Sequence, residues 1–141
     1  MTKIRNIFNN GERFGAKTGV VQIGYNVSPD TITADASPAT VTRALMNQYN
    51  YFKVTRDTAD TDEFDLPTAA AIGETITLYC VTGFELRTEL DADKINNVPS
   101  KGLTTVTGDL VTCTKVASDN WMVTSLTILG AAVTLVAGVA A

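Results

Sequence analysis

Residues 64–81 read FDLPTAAAIGETITLYCV, and this stretch decides the fold class. Its second half, Thr75–Val81, alternates so that Ile76, Leu78 and Cys80 share one face. A period of two puts successive side chains on opposite faces of a pleated strand, so the Ile76–Leu78–Cys80 face is the core face. Ile72-Gly73-Glu74 is a turn ahead of this strand, and Phe64-Asp65-Leu66-Pro67 leads into Thr68–Ala71.

The same signal recurs on both sides. Toward the C-terminus, Thr82-Gly83 is a turn and Phe84–Leu90 a strand. A polar loop, Asp91 to Gly102, contains Asn96-Asn97-Val98-Pro99. Strands are expected at Leu103–Val106, Leu110–Val116 and Trp121–Leu129, parted by Thr107-Gly108-Asp109 and Ala117-Ser118-Asp119-Asn120. Toward the N-terminus, Tyr51–Thr55 and Thr31–Ala34 read as strands, and 18–27 places Val21, Ile23 and Tyr25 on one face. Between them Val41, Leu45, Met46 and Tyr49 fall at helical spacing, with Ser37 and Pro38 placed to cap and start a helix. Thr40, Val41 and Thr42 pull that stretch toward extended chain, so one short helix is expected. No internal repeat is visible.

Composition agrees. The chain has 141 residues, 45% hydrophobic and 18% charged, with a net charge of −4. That length suits one core. Its 22 threonines suit half-buried pleated surfaces better than helices. The expected fold is all-β: one antiparallel β-sandwich or barrel-like domain of jelly-roll or β-tulip-like type over residues 18–141, preceded by an irregular arm at 1–17.

Charge divides the chain. Residues 1–17 carry Lys3, Arg5, Arg13 and Lys17 against Glu12, a net of +3, leaving −7 for the remainder. A basic arm on an acidic body points to an acidic partner surface, with these four cations as the candidate binding residues and a solvated, frayed terminus as the alternative. Without an array of stacking aromatics they make a poor case for nucleic acid.

Met122–Ala141 is uncharged and has the length of a membrane span, yet it is rich in β-branched residues and broken by Gly130 and Gly138. No basic residue follows to anchor a far end. It is expected to be β-structure in the core or at a subunit interface, with Leu129, Val133, Leu135 and Val136 as candidate interface residues, and not to enter a membrane.

Catalytic chemistry finds few residues to work with. Histidine is absent, which removes His-based triads and dyads and most zinc sites. Cys80 and Cys113 lie in strands with no histidine to activate them, and no apolar leader marks an oxidising compartment. Free thiols are expected, with a Cys80–Cys113 bridge as the alternative. Asp57, Asp60, Asp62, Glu63 and Asp65 cluster in nine residues, but without EF-hand spacing, and a hydrated loop is favoured over a Ca²⁺ site or a glycosidase pair. Phosphate-binding glycine loops and nucleophile elbows are missing from the sequence. No catalytic residue, cofactor or metal ligand is assigned, and the expectation is a non-enzymatic structural or binding module.

Several segments carry a resemblance. TITADASPATVT at 31–42, YFKVT at 51–55 and FDLPTAAAIGETITLYCV at 64–81 resemble small β-sandwich domains of tailed-bacteriophage virion proteins, found in capsid decoration (cement) proteins and head fibres. The Gly108-Asp109 turn and the strand opened by Asn120-Trp121-Met122-Val123 extend the likeness over about residues 30–126. The resemblance implies a homotrimer, made in the host cytoplasm, seated on the capsid exterior near three-fold axes, where it braces neighbouring major capsid subunits. It defines no functional residues. The alternative reading is a carbohydrate- or receptor-binding β module of a phage fibre or tail.

Overall fold

A computed structural model of the chain describes residues 24–126 and 136–137. Strand makes up 51% against 4% helix, which establishes the all-β class. The strands are β1 (Val27–Ala34), β2 (Tyr51–Arg56), β3 (Glu63–Leu66), β4 (Thr75–Cys80), β5 (Glu85–Thr88), β6 (Lys94–Ile95), β7 (Val98–Pro99), β8 (Lys101–Thr104), β9 (Leu110–Ala117), β10 (Asn120–Leu126) and β11 (Val136–Ala137). A large sheet runs β1-β2-β4-β9-β10-β6-β7. A small one runs β8-β5-β3, with β11 added beside β8.

Alternation builds both sheets. Phe52 and Val54 of β2, Ile76, Leu78 and Cys80 of β4, Val111 and Cys113 of β9, and Trp121 and Val123 of β10 are buried on one side of the large sheet. Phe64 and Leu66 of β3, Leu86 of β5 and Leu103 of β8 come from the small sheet, and all belong to one hydrophobic core. Phe64 and Phe84 meet there with ring centroids 6.1 Å apart. The core face expected for Thr75–Val81 is therefore the observed one.

The connectivity is not that of an antiparallel sandwich, barrel or jelly roll. The chain alternates between sheets, β2 in the large, β3 in the small, β4 in the large, β5 in the small. Equivalent strands of successive circuits lie parallel: β1 beside β2, β2 beside β4, and β3 beside β5. Even the first circuit reaches the small sheet, through a parallel bridge between Ala39 and Phe64. This is a coil of the β-solenoid kind, closed by antiparallel pairing of β8 on β5, β9 on β4 and β10 on β9. Side-chain alternation has a period of two in parallel and antiparallel strands alike, so it specifies a face but not a neighbour's direction.

The turns obey local chemistry. The expected short helix is present as α1 (Arg43–Met46), but Thr42 caps it instead of Ser37, with Leu45 N–H donating to Thr42 Oγ1 at 3.3 Å. Arg43 clamps Glu74 through both carboxylate oxygens and donates to the Ala69 carbonyl, which ties α1 to the turn before β4. The expected polar loop at 91–102 contains a hairpin, with Ile95 paired to Val98 across Asn96 and Asn97. Both asparagines have positive φ, 52° and 68°, as a two-residue mirror-image turn requires. The Asn96 side-chain amide then bonds both the N–H and the carbonyl of Val123, taking the place of a neighbouring strand. At the opposite edge β1 pairs only with β2 among the described residues, and its register shifts between Val27 and Thr31, around Pro29.

Gly83 tests the packing of the segment after β8 against the turn between β4 and β5. A Cβ there would stand 2.5 Å from the Thr105 carbonyl oxygen and 3.1 Å from Val106 Cα. Both obstacles are backbone, so Gly83→Ala is expected to destabilise the fold by about 1–3 kcal/mol, read as a lower midpoint in urea with an unchanged slope.

Candidate functional site

The outward side of the large sheet is the most distinctive surface of the described residues. Strand register lines its side chains into rows. One row runs Val27, Tyr51, Thr77, Thr112 and Thr124 across five strands, with Thr77 at its centre only 3% exposed. The next runs Thr31, Lys53, Tyr79 and Leu110. Thr75, Thr114 and Met122 form a third, in which the Thr75 and Thr114 hydroxyls bond each other at 2.7 Å. Thr33 lies beside Thr55, whose hydroxyl meets that of Thr82 at 3.0 Å.

This face is almost free of charge. Across β2, β4, β9 and β10 its one ionic side chain is Lys53, whose Nζ donates to the Pro29 carbonyl at 3.0 Å. Val27, Tyr79 and Met122 are exposed on it, Met122 by 50%. Tyr25 sits edge-on against Tyr51, ring centroids 4.8 Å apart. Burial of the Tyr51 ring, with Tyr25 and Tyr79 nearby, raises its phenol pKa.

The small sheet presents the opposite chemistry. Its parallel register puts Glu63 beside Glu85 and Asp65 beside Arg87. Arg87 bonds Glu63 at 2.9 Å and Glu85 at 2.7 Å. Asp65 is partly buried, and its pKa is pushed up to about 6 by that burial, then by the charges of Glu63 and Glu89.

The residues singled out from sequence fall as follows. Lys3, Arg5, Arg13 and Lys17 lie outside the described residues, as do Leu129, Val133 and Leu135. Val136 is in β11, paired with Gly102 of β8. No helix among the described residues is long and apolar enough to cross a membrane. Cys80 and Cys113 are free and buried. Cys113 stands opposite Ile76, a full four residues along β4 from Cys80, so the alternative of a bridge fails on register.

Three carboxylates of the acidic run turn to separate partners. Asp62 folds its carboxylate back to accept the N–H groups of Asp57, Thr58 and Ala59, and those bonds lower its pKa. Asp60 pairs with Arg56, and Glu63 with Arg87. Among the described residues no group of three or more acidic or thiol side chains is placed to hold a metal ion. The outward rows were not legible from sequence, although the Thr-x-Thr steps at 31–33, 75–77 and 112–114 are their trace.

Two measurements check these assignments. Burial pushes the Cys80 thiol up to about 12 and Cys113 higher still, so a thiol reagent at neutral pH should find no reactive cysteine in the native protein and two after denaturation. The native Asp65 pKa lies above its ordinary unfolded value near 3.9. Native protein then binds the extra proton between about pH 4 and 6, and stability falls as pH rises through that window. Asp65→Asn should therefore stabilise at pH 7, by on the order of 1 kcal/mol once solvent screening is allowed for, and should gain nothing below pH 4, as thermal melts at the two pH values would show.

Compared with protein-family models, curated proteins and solved structures, the chain matches none.

Proposed function

We propose that this chain is a structural virion protein of a tailed phage: a capsid decoration (cement) protein that binds the outer surface of the head and braces neighbouring major capsid subunits, without catalysis. The observation that carries this reading is the division of the described surface. A broad, nearly uncharged sheet face of threonine, tyrosine and aliphatic rows backs onto one packed core, while the small sheet bears carboxylates around Arg87. A broad, weakly charged face serves contact between macromolecules better than it serves a small ligand, which is held by concave sites with convergent polar groups.

The sequence resemblance points to the same role, while the β-sandwich it implies is replaced here by a solenoid coil. Phe64–Val81 builds β3, the crossing between sheets and β4, while Trp121 of the Asn120–Val123 segment fills the core. The homotrimer is part of this proposal, as is the role of Lys3, Arg5, Arg13 and Lys17 in reaching an acidic capsid surface. A second reading, a carbohydrate- or receptor-binding module, is favoured by Tyr25, Tyr51 and Tyr79 on one face. Ring faces of that kind stack on sugars.

Particles purified from an infected host should contain the protein in many copies, counted by quantitative mass spectrometry. Removing residues 1–17 should lower occupancy while leaving the β domain folded, and the loss should resemble that produced by added salt. Absence from particles, with binding to a glycan array, would replace the decoration reading by the second one.

A further inference from the structure

We propose that residues 1–17 dock on the outward face of the small sheet of the same chain, so that the basic arm is held by its own body until a more acidic surface draws it away. The inference rests on the decoration reading only for what finally takes the arm, since the docking itself is a property of the isolated chain.

The make-up of the face is the first argument. Phe64 and Leu66 of β3 and Leu86 of β5 belong to the core, so alternation turns Glu63, Asp65, Glu85 and Arg87 outward. Register sets Glu63 beside Glu85 and Asp65 beside Arg87, and Arg87 bonds both glutamates. Glu89, just past β5, lies close enough for its charge to act on Asp65, while its carboxylate accepts the Thr68 N–H at 2.6 Å. Four carboxylates (Glu63, Asp65, Glu85 and Glu89) against one guanidinium leave this face with a net of −3. Asp65 registers the excess. Burial raises its pKa first, then Glu63 and Glu89, and Arg87 opposes them only in part.

Charge complementarity selects the occupant. Arg43, Arg56 and Lys94 are paired with Glu74, Asp60 and Asp119, while Lys53 and Lys115 donate to backbone carbonyls. Apart from Lys101 at the start of β8, the cations left to answer these acids are the arm's own Lys3, Arg5, Arg13 and Lys17. With Glu12 they give the arm +3, equal and opposite to the face. Partly buried carboxylates are also less screened than open ones, which favours them over the exposed acids of the 57–61 loop. Reach is sufficient. Residues 18–23 join the arm to Gly24, and six extended residues cover about 20 Å, twice the roughly 10 Å between packed sheets.

The test compares amide NMR spectra of the full chain at low salt with those of a full chain carrying Lys3→Gln, Arg5→Gln, Arg13→Gln and Lys17→Gln. Signals of β3 and of residues 85–89 should move, and those of Thr112, Thr114 and Thr124 on the large sheet should stay. Wild type brought to about 1 M salt, where the Debye length is about 3 Å, should move the same signals in the same direction. That titration needs no variant, so it decides the matter even if the substitutions impair folding. Asp65→Asn with Glu89→Gln leaves the face at −1 and should cut the salt-induced movement to roughly a third. Small-sheet signals that never move, or movement confined to the large sheet, would overturn the inference. Movement that grows with protein concentration would overturn docking within one chain and give the arm to a second copy. Particle occupancy is read separately: Asp65→Asn with Glu89→Gln frees the arm and should raise it. Docking signals without occupancy would leave this inference standing and the decoration reading fallen, and occupancy without docking signals would do the reverse.

Discussion

Stacking of inward side chains across the parallel ladders holds the rest of the molecule in place. Phe52 lies beside Leu78 and Val54 beside Cys80 in the large sheet, while Phe64 lies beside Leu86 in the small one. Each circuit thus lays apolar side chains on those of the circuit before, and each of these six is fully buried. Deleting one large member of such a column typically costs about 3–5 kcal/mol, a large share of the net stability of a domain this size. The outward rows follow from the same register, because fixing the inner partners fixes the outer ones. A slip by one residue would carry the whole outer set into the core.

That register explains what the sequence disclosed and what it withheld. Ile76, Leu78 and Cys80 announced both strand and core face, and Tyr51–Thr55 announced another strand. Nothing in either segment said that they would run side by side in the same direction. The circuits also differ in length, Tyr51 pairing with Thr77 but Phe64 with Leu86, so no fixed period exists to be seen as a repeat. Loops of unequal size absorb the difference: α1 and its Arg43–Glu74 clamp in one circuit, the turn closed on Asp62 in the next. The Asn96-Asn97 hairpin was legible in principle. Two asparagines tolerate the left-handed backbone that a two-residue hairpin needs, yet the short flanking strands, Lys94–Ile95 and Val98–Pro99, hid it.

The candidate site was legible only as composition. An excess of threonine pointed to pleated surface, but one row joins residues as distant in sequence as Val27 and Thr112. The acidic run illustrates the reverse error. Five carboxylates within nine residues suggest a common purpose, yet the fold spends them separately, one on a turn, one on Arg56 and another on Arg87. Asp65 is left partly buried beside other acids, a local cost that the packing of β3 on β5 sustains.

A stack of parallel circuits carries a hazard in its first strand. Among the described residues β1 is paired on one side only, and an eight-residue strand so placed offers a row of backbone groups on the other, the template from which fibrils grow. Here Pro29 contributes no N–H, and the shift between Val27 and Thr31 breaks the even spacing that a further parallel chain would need. Growth along the stacking direction is thereby discouraged at the level of single hydrogen bonds. The chain can then be concentrated without polymerising edge to edge.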